Sequence, residues 1–384
     1  MHPQPDRWAD RSRRPLVIAH RAGGGDLPEN TLEAVRAAVA APADLVWLSV
    51  QVSSDGVPVL YRPAELHALT DGCGRVGEHT AAELTALNAG HAFVAADGSR
   101  PYRAPHRKAR LPTLAAALAV VPAQTPLILD LKSPQPVRLV RAIARLLDDR
   151  TRRGTRGWER IRFYSTEPSA LRAVRRAHPR VMTFEDRDTT RGRLLAARLT
   201  GSCPPPPVPG RWVGFELRRD LVVAEDCTLG RACGTVHDAV LWDRRTVDCC
   251  HRVAGVAVVV FGVDNASDYR EAARLGADAV LTDHPAALLA VAGRRASAPC
   301  AAEQSVGASS GSDGPSGGRT PLRRVPADED DGRAAPCAVD GPTAGALARR
   351  TRRAPAPCGP GEFTDRILSA MRGEFGGHAE KQTP

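Results

Sequence analysis

The chain is poor in lysine: of its 53 basic residues only Lys108, Lys132 and Lys381 are not arginine. Aromatic side chains make up 4% of its 384 residues. No apolar run approaches the roughly 18 residues of a membrane-crossing helix, so no transmembrane segment is expected. None of the nine cysteines pair at a zinc-ligand spacing such as C-x2-C. The adjacent Cys249 and Cys250 are poorly placed to bond to each other, so reduced thiols are expected. Met1–Pro15 is polar and arginine-rich and contains no apolar signal region. These absences together predict a cytoplasmic protein. The formal net charge of +10 admits an anionic partner, but the arginines are scattered and not interleaved with aromatics that could stack on bases. The expectation is a generally basic enzyme surface with no nucleic-acid partner.

Hydrophobic residues, 42% of the chain, suffice for a large core. Between residues 14 and 293, short Val/Ile/Leu-rich segments alternate with helical patterns. Strands are predicted at 16–19, 44–52, 127–131, 161–165, 181–184, 212–217, 256–263 and 277–282. Most lack a polar face, as strands buried on both sides should. Helices are predicted over 31–41, 137–147, 169–178 and 267–275, the last ended by Gly276. This pattern fits a parallel barrel or a doubly wound sheet. Residues 57–110 break the alternation with a short strand, a Gly-rich turn and a short helix opened by Thr80, and read as an insertion after strand two. Residues 294–384 are rich in Ala, Pro, Gly, Ser and Arg, a composition that predicts a disordered tail. Within it Phe363, Ile367, Met371 and Phe375 recur every fourth residue. That is either chance or a short helix over 363–375 that docks on a protein partner.

The first strand ends in His20 and Arg21, followed by Gly23–Gly25 and by Pro28-Glu29-Asn30-Thr31 at the start of a helix. Strand ends of this kind line the active face of a barrel. Histidine suits proton transfer near neutral pH, and arginine grips phosphate with a planar fork. Read alone, Asn30 and Thr31 are equally well helix caps and the glycines turn formers.

The run Ile18-Ala19-His20-Arg21…Pro28-Glu29-Asn30-Thr31-Leu32 resembles the opening signature of glycerophosphodiester phosphodiesterases. The likeness continues in order through Ser54-Asp55-Gly56-Val57-Pro58-Val59, Leu111-Pro112-Thr113-Leu114, Leu131-Lys132 and Leu281-Thr282-Asp283-His284-Pro285. The resemblance implies an α/β fold, a (β/α)8 TIM barrel over residues 14–293, and hydrolysis of a phosphodiester in glycerophospholipid-headgroup metabolism. It also implies a divalent cation, Mg or Ca, held by three carboxylates, with two histidines as acid and base.

Several of those positions differ here. The paired carboxylates of strand two are Trp47 and Ser49, the second histidine is Arg62, and the aspartate after it is Pro63. The third carboxylate is Asp130, a further arginine falls on Ala68, and a Thr-Val-Asn motif reads Gly262-Val263-Asp264. By this resemblance His20 and Arg21 are the catalytic candidates. Arg21, Arg62, Lys132 and Trp47 are the phosphate- and substrate-binding candidates, and Glu29 and Asp130 are the carboxylates left for a cation. Lys132 stands out because drift in so arginine-rich a chain would have replaced it. The small-molecule partner implied is a phosphate ester. Two other functions remain open, a non-catalytic phosphate-ester-binding pseudoenzyme and a metal-independent catalyst on a phosphate or diphosphate.

Overall fold

The computed structural model describes residues 14–294, except 105, 156 and 229. The strands are β1 (Leu16–Ala19), β2 (Leu45–Val52), β3 (Pro58–Leu60), β4 (Leu127–Leu131), β5 (Ile161–Tyr164) and β6 (Met182–Thr183). They continue with β7 (Trp212–Glu216), β8 (Arg219–Cys227), β9 (Gly230–Ala239), β10 (Ala257–Phe261) and β11 (Ala279–Thr282). The helices are α1 (Leu32–Ala40), α2 (Ala81–Ala86), α3 (Leu114–Val120), α4 (Pro136–Arg152) and α5 (Pro168–Ala177). After them come α6 (Arg187–Thr200), α7 (Arg244–His251), α8 (Ala266–Leu275) and α9 (Pro285–Val291).

Eight of the described strands pair in parallel in the order β6-β5-β4-β2-β1-β11-β10-β7. A parallel bridge from Phe184 to Trp212 and a hydrogen bond from the Glu185 amide to the Trp212 carbonyl at 2.8 Å join the two ends. The sheet is therefore a TIM barrel, as expected. Side chains alternate along each strand, and the two faces are both apolar. Outward residues such as Val46, Leu48, Leu129 and Val258 form the main core under the helices. Inward residues Ile18, Trp47, Ile128, Tyr164, Phe184 and Phe261 fill the barrel interior. This second cluster concentrates the rings of an aromatic-poor chain.

Residues 57–110 carry β3, which pairs antiparallel with β2, and α2, capped by Thr80 as its sequence predicts. They have a small core of their own around Tyr61, Leu66, Val76 and Leu84. The antiparallel hairpin β8–β9 has no counterpart in the sequence reading. The predicted helix over 363–375 and the tail lie outside the described residues.

The expectation of reduced thiols is corrected. Cys203 and Cys249 form a disulfide with their Cα atoms 5.8 Å apart. Sequence spacing could not reveal it, because α7 must first fold to bring Cys249 beside the segment after α6. Cys250 is buried, and burial pushes its thiol pKa up to about 11. No described helix is long and apolar enough to cross a membrane.

Candidate active site

The chain turns sharply after β1. Arg21 and Ala22 adopt left-handed backbone angles, with φ of 50° and 65°, before Gly23 at 94°. Non-glycine residues in this region are costly and are held by their surroundings. Here the turn aims His20 and Arg21 at one carboxylate. His20 Nδ1 lies 3.0 Å from Asp283 Oδ1, and the Arg21 guanidinium donates to both Asp283 oxygens at 3.1 and 3.0 Å. Arg21 also pairs with Glu29. Arg62 Nε donates to the other Glu29 oxygen at 3.1 Å. Arg62 is held in turn by β2, where the Gln51 side chain donates to the carbonyls of Tyr61 and Pro63 at 3.3 and 2.7 Å.

Burial on its own would raise the pKa of Asp283. The hydrogen bond from His20 and the charges of His20 and Arg21 outweigh it and keep the carboxyl below its usual range. Asp264 is a brace, not a lining group. It accepts from Thr282 Oγ1 at 2.9 Å and from the Asp283 amide at 2.7 Å, fixing the turn that carries Asp283. Asn30, with φ of 60°, accepts from the Ser49 amide at 2.9 Å, while Thr31 caps α1 by accepting from the Ala34 amide.

Across the barrel mouth, Asp130 and Lys132 leave β4 on the same side and pair at 3.3 Å. Asp130 is 3% exposed, and burial raises its pKa against the pull of Lys132. Trp47 lies beneath, 2% exposed, with its ring centroid 5.9 Å from His20, 4.9 Å from Tyr164 and 5.7 Å from Phe261. It therefore forms the packed floor under His20, with little ring surface open to a ligand. Among the described residues, Trp47 Nε1, Ser49 Oγ and Asp130 Oδ1 are buried with no well-directed hydrogen bond, although Trp47 lies close enough to Asp130 to lower its pKa. These unmatched atoms sit where the resemblance implies a charged cluster.

The donor set does not fit a carboxylate-held divalent cation. Trp47 and Ser49 supply no anionic oxygen, Glu29 is engaged by two arginines, and Asp130 by Lys132. Among the described residues, no group of three or more His, Cys, Asp or Glu side chains is arranged to hold a metal ion.

The structure thus brings His20, Arg21, Glu29 and Arg62 together on one side, with Asp130 and Lys132 at the end of β4. It adds Asp283, which lies in the Leu281–Pro285 motif but is not among the site candidates expected from sequence. It also adds Glu216 at the end of β7, gripped by Arg187 at 2.7 and 2.8 Å. Tyr164 is the third addition, its pKa pushed up to about 12 chiefly by burial. Position at a strand's C-terminal end was the available signal for all three.

The glycerophosphoryl diester phosphodiesterase family model matches residues 20–287. An uncharacterized protein of Mycobacterium tuberculosis is 46% identical over 274 residues, 71% of this chain and 88% of that protein. Glycerophosphodiester phosphodiesterase 1 of Rattus norvegicus is 41% identical over 90 residues, 22% of this chain and 27% of the rat protein. The crystal structure of the glycerophosphoryl diester phosphodiesterase domain of the mycobacterial protein matches with a TM-score of 0.65 at 45% identity, covering 72% of this chain and 98% of that domain. A phosphodiesterase of Oleispira antarctica, solved with the product sn-glycerol-3-phosphate, matches with a TM-score of 0.53 at 23% identity, covering 72% of this chain and 96% of the other, and shares the fold.

Proposed function

This chain belongs to the glycerophosphoryl diester phosphodiesterase family, and we propose that it cleaves a phosphodiester of the glycerophospholipid-headgroup class using side-chain cations where a carboxylate-held metal is degraded. The observation that carries this reading is the contact of His20 Nδ1 with Asp283 at 3.0 Å. It fixes the imidazole and leaves Nε2 to take a proton from the attacking hydroxyl or water and return one to the leaving oxygen. Arg62, 42% exposed at the mouth, and Lys132 are the cations within reach of the non-bridging oxygens. Arg21, locked between Glu29 and Asp283, positions the other groups. Because Asp130 tends to protonate, Lys132 can exchange it for the phosphate.

The test is turnover of glycerophosphocholine by the full chain, with and without a chelator, beside His20→Asn. Turnover that survives chelation and disappears in the variant supports the reading. Turnover abolished by chelation and restored by Mg²⁺ contradicts it.

A second reading, a phosphate-ester-binding protein without turnover, draws on Arg62 standing where the family has its second histidine. A guanidinium stays protonated at any working pH and cannot act as a general acid. Saturable binding of glycerol 3-phosphate with no hydrolysis would favour it. The cytoplasmic location expected from sequence loses one of its supports, since a disulfide suits an oxidising compartment.

A further inference from the structure

Apart from the site, the described surface has a concave groove of about 650 Å³ lined by Gln135, Pro136, Val137, Arg138, Arg141 and Arg145. All belong to the first turns of α4 or its entry. The chain reaches α4 directly from Lys132, and Arg138 is tied to the Ser54 carbonyl in the β2–β3 turn. Both connections leave the C-terminal ends of barrel strands, so the groove lies on the rim of the face that carries the site.

Its chemistry is one-sided. Arg141 and Arg145 are exposed and, among the described residues, have no carboxylate partner. The nearby acids are engaged elsewhere. Asp55 accepts from Ser53 Oγ and the Ala81 amide, Asp148 from Trp158 Nε1 at 2.8 Å, and Asp149 pairs with Arg153 at 3.0 Å. Uncompensated guanidiniums clustered on one helix attract anions and fork onto phosphate oxygens. Val137, 52% exposed, places an apolar side chain in the same groove. Among the described residues, no aromatic ring lines it on which a base could stack.

We infer that this α4 face is a docking surface for an anionic phospholipid bilayer, with Arg141 and Arg145 on lipid phosphates and Val137 at the headgroup–acyl boundary. Docked this way, the mouth of the barrel lies beside the membrane. The inference is independent of whether the site hydrolyses its ligand.

Co-sedimentation of the full chain with phosphatidylglycerol-rich vesicles tests it, with phosphatidylcholine vesicles as the comparison. The parent protein should bind the anionic vesicles selectively and be released by high salt. Each exposed arginine should be worth roughly fivefold in partitioning, so Arg141→Ala/Arg145→Ala should bind roughly 25-fold more weakly. Its melting temperature should stay unchanged. No preference for anionic vesicles overturns the inference, as does equal binding by parent and variant. A loss confined to single-stranded DNA binding also overturns it, because the groove would then serve nucleic acid.

Discussion

His20 and Asp283 sit at opposite ends of the barrel sequence yet meet at 3.0 Å where β1 and β11 lie side by side. The carboxylate orients the imidazole and also accepts from Arg21 Nη2 at both oxygens, while Nη1 serves Glu29. Asp283→Asn should therefore lower turnover about 10²- to 10⁴-fold while changing KM little, because proton transfer suffers more than phosphate binding. Steady-state kinetics of the purified variant decide this, and an equal rise in KM with kcat intact would contradict it.

The pH dependence of stability should carry two opposed contributions. Asp283 has a folded-state pKa below its unfolded value, so its contribution is present above the unfolded pKa and lost as pH falls through the folded one. Asp130 has a raised pKa, so its contribution is present in acid and lost as pH rises. Asp130→Asn should remove the second, leaving a variant as stable as the parent or more so at pH 7, with a steeper loss on acidification. Thermal melts from acid to neutral pH check the sign.

Much of the barrel is legible in the sequence because strands buried on both faces read as unbroken apolar runs, as in Val258-Val259-Val260 and Leu127-Ile128-Leu129. Hairpin β8–β9 is not, since Glu225, Asp226 and several small residues interrupt its apolar pattern. The placement of His20, Arg21 and Lys132 follows from their strand ends. Their pairing does not, because each partner comes from another part of the chain. Arg21 reads as a phosphate fork, yet its two Nη groups are already committed to Glu29 and Asp283. Trp47 reads as either a stacking wall or core filling, and the ring is buried among Tyr164, Phe184 and Phe261.

Rebuilding the cation site should couple stability to metal. Trp47→Glu with Ser49→Asp places two carboxylates beside buried Asp130. Without a cation, uncompensated buried charge of this kind costs about 3–5 kcal/mol. The variant carrying these changes and Arg62→His should melt well below the parent and recover on adding Mg²⁺, by the linkage between binding and folding. Calorimetry on the parent should show no stoichiometric Mg²⁺ or Ca²⁺ binding. Tight binding there would mean that Glu29 or Asp130 abandons its ion pair.

The Cys203–Cys249 bond closes a loop with a sequence separation of 46 residues. Removing it by Cys203→Ser should lower stability by about 2–4 kcal/mol, and a reducing agent should shift the parent's melt more than the variant's. Cys250 should resist alkylation in the native state, because its buried thiol has a pKa near 11 and presents little thiolate. Mass spectrometry after alkylation, before and after denaturation, reads this directly.

Arg21 and Arg62 both touch Glu29, but their substitution should have different consequences. Arg21 is 16% exposed and serves two carboxylates, so Arg21→Ala leaves Glu29 with Arg62 alone and Asp283 with His20 alone in a sheltered site. The expected cost is about 3–5 kcal/mol of stability, alongside any loss of activity. Arg62 is 42% exposed and leaves Glu29 its stronger partner when removed. Arg62→Ala should therefore melt within about 1 kcal/mol of the parent, as for an exposed ion pair. If its guanidinium meets the phosphate, affinity for glycerol 3-phosphate should fall roughly tenfold to a hundredfold, the value of one charge-assisted contact. Calorimetric titration and a thermal melt on each variant separate the two roles. Unchanged affinity in Arg62→Ala would remove Arg62 from the phosphate site and leave Lys132 as its principal cation.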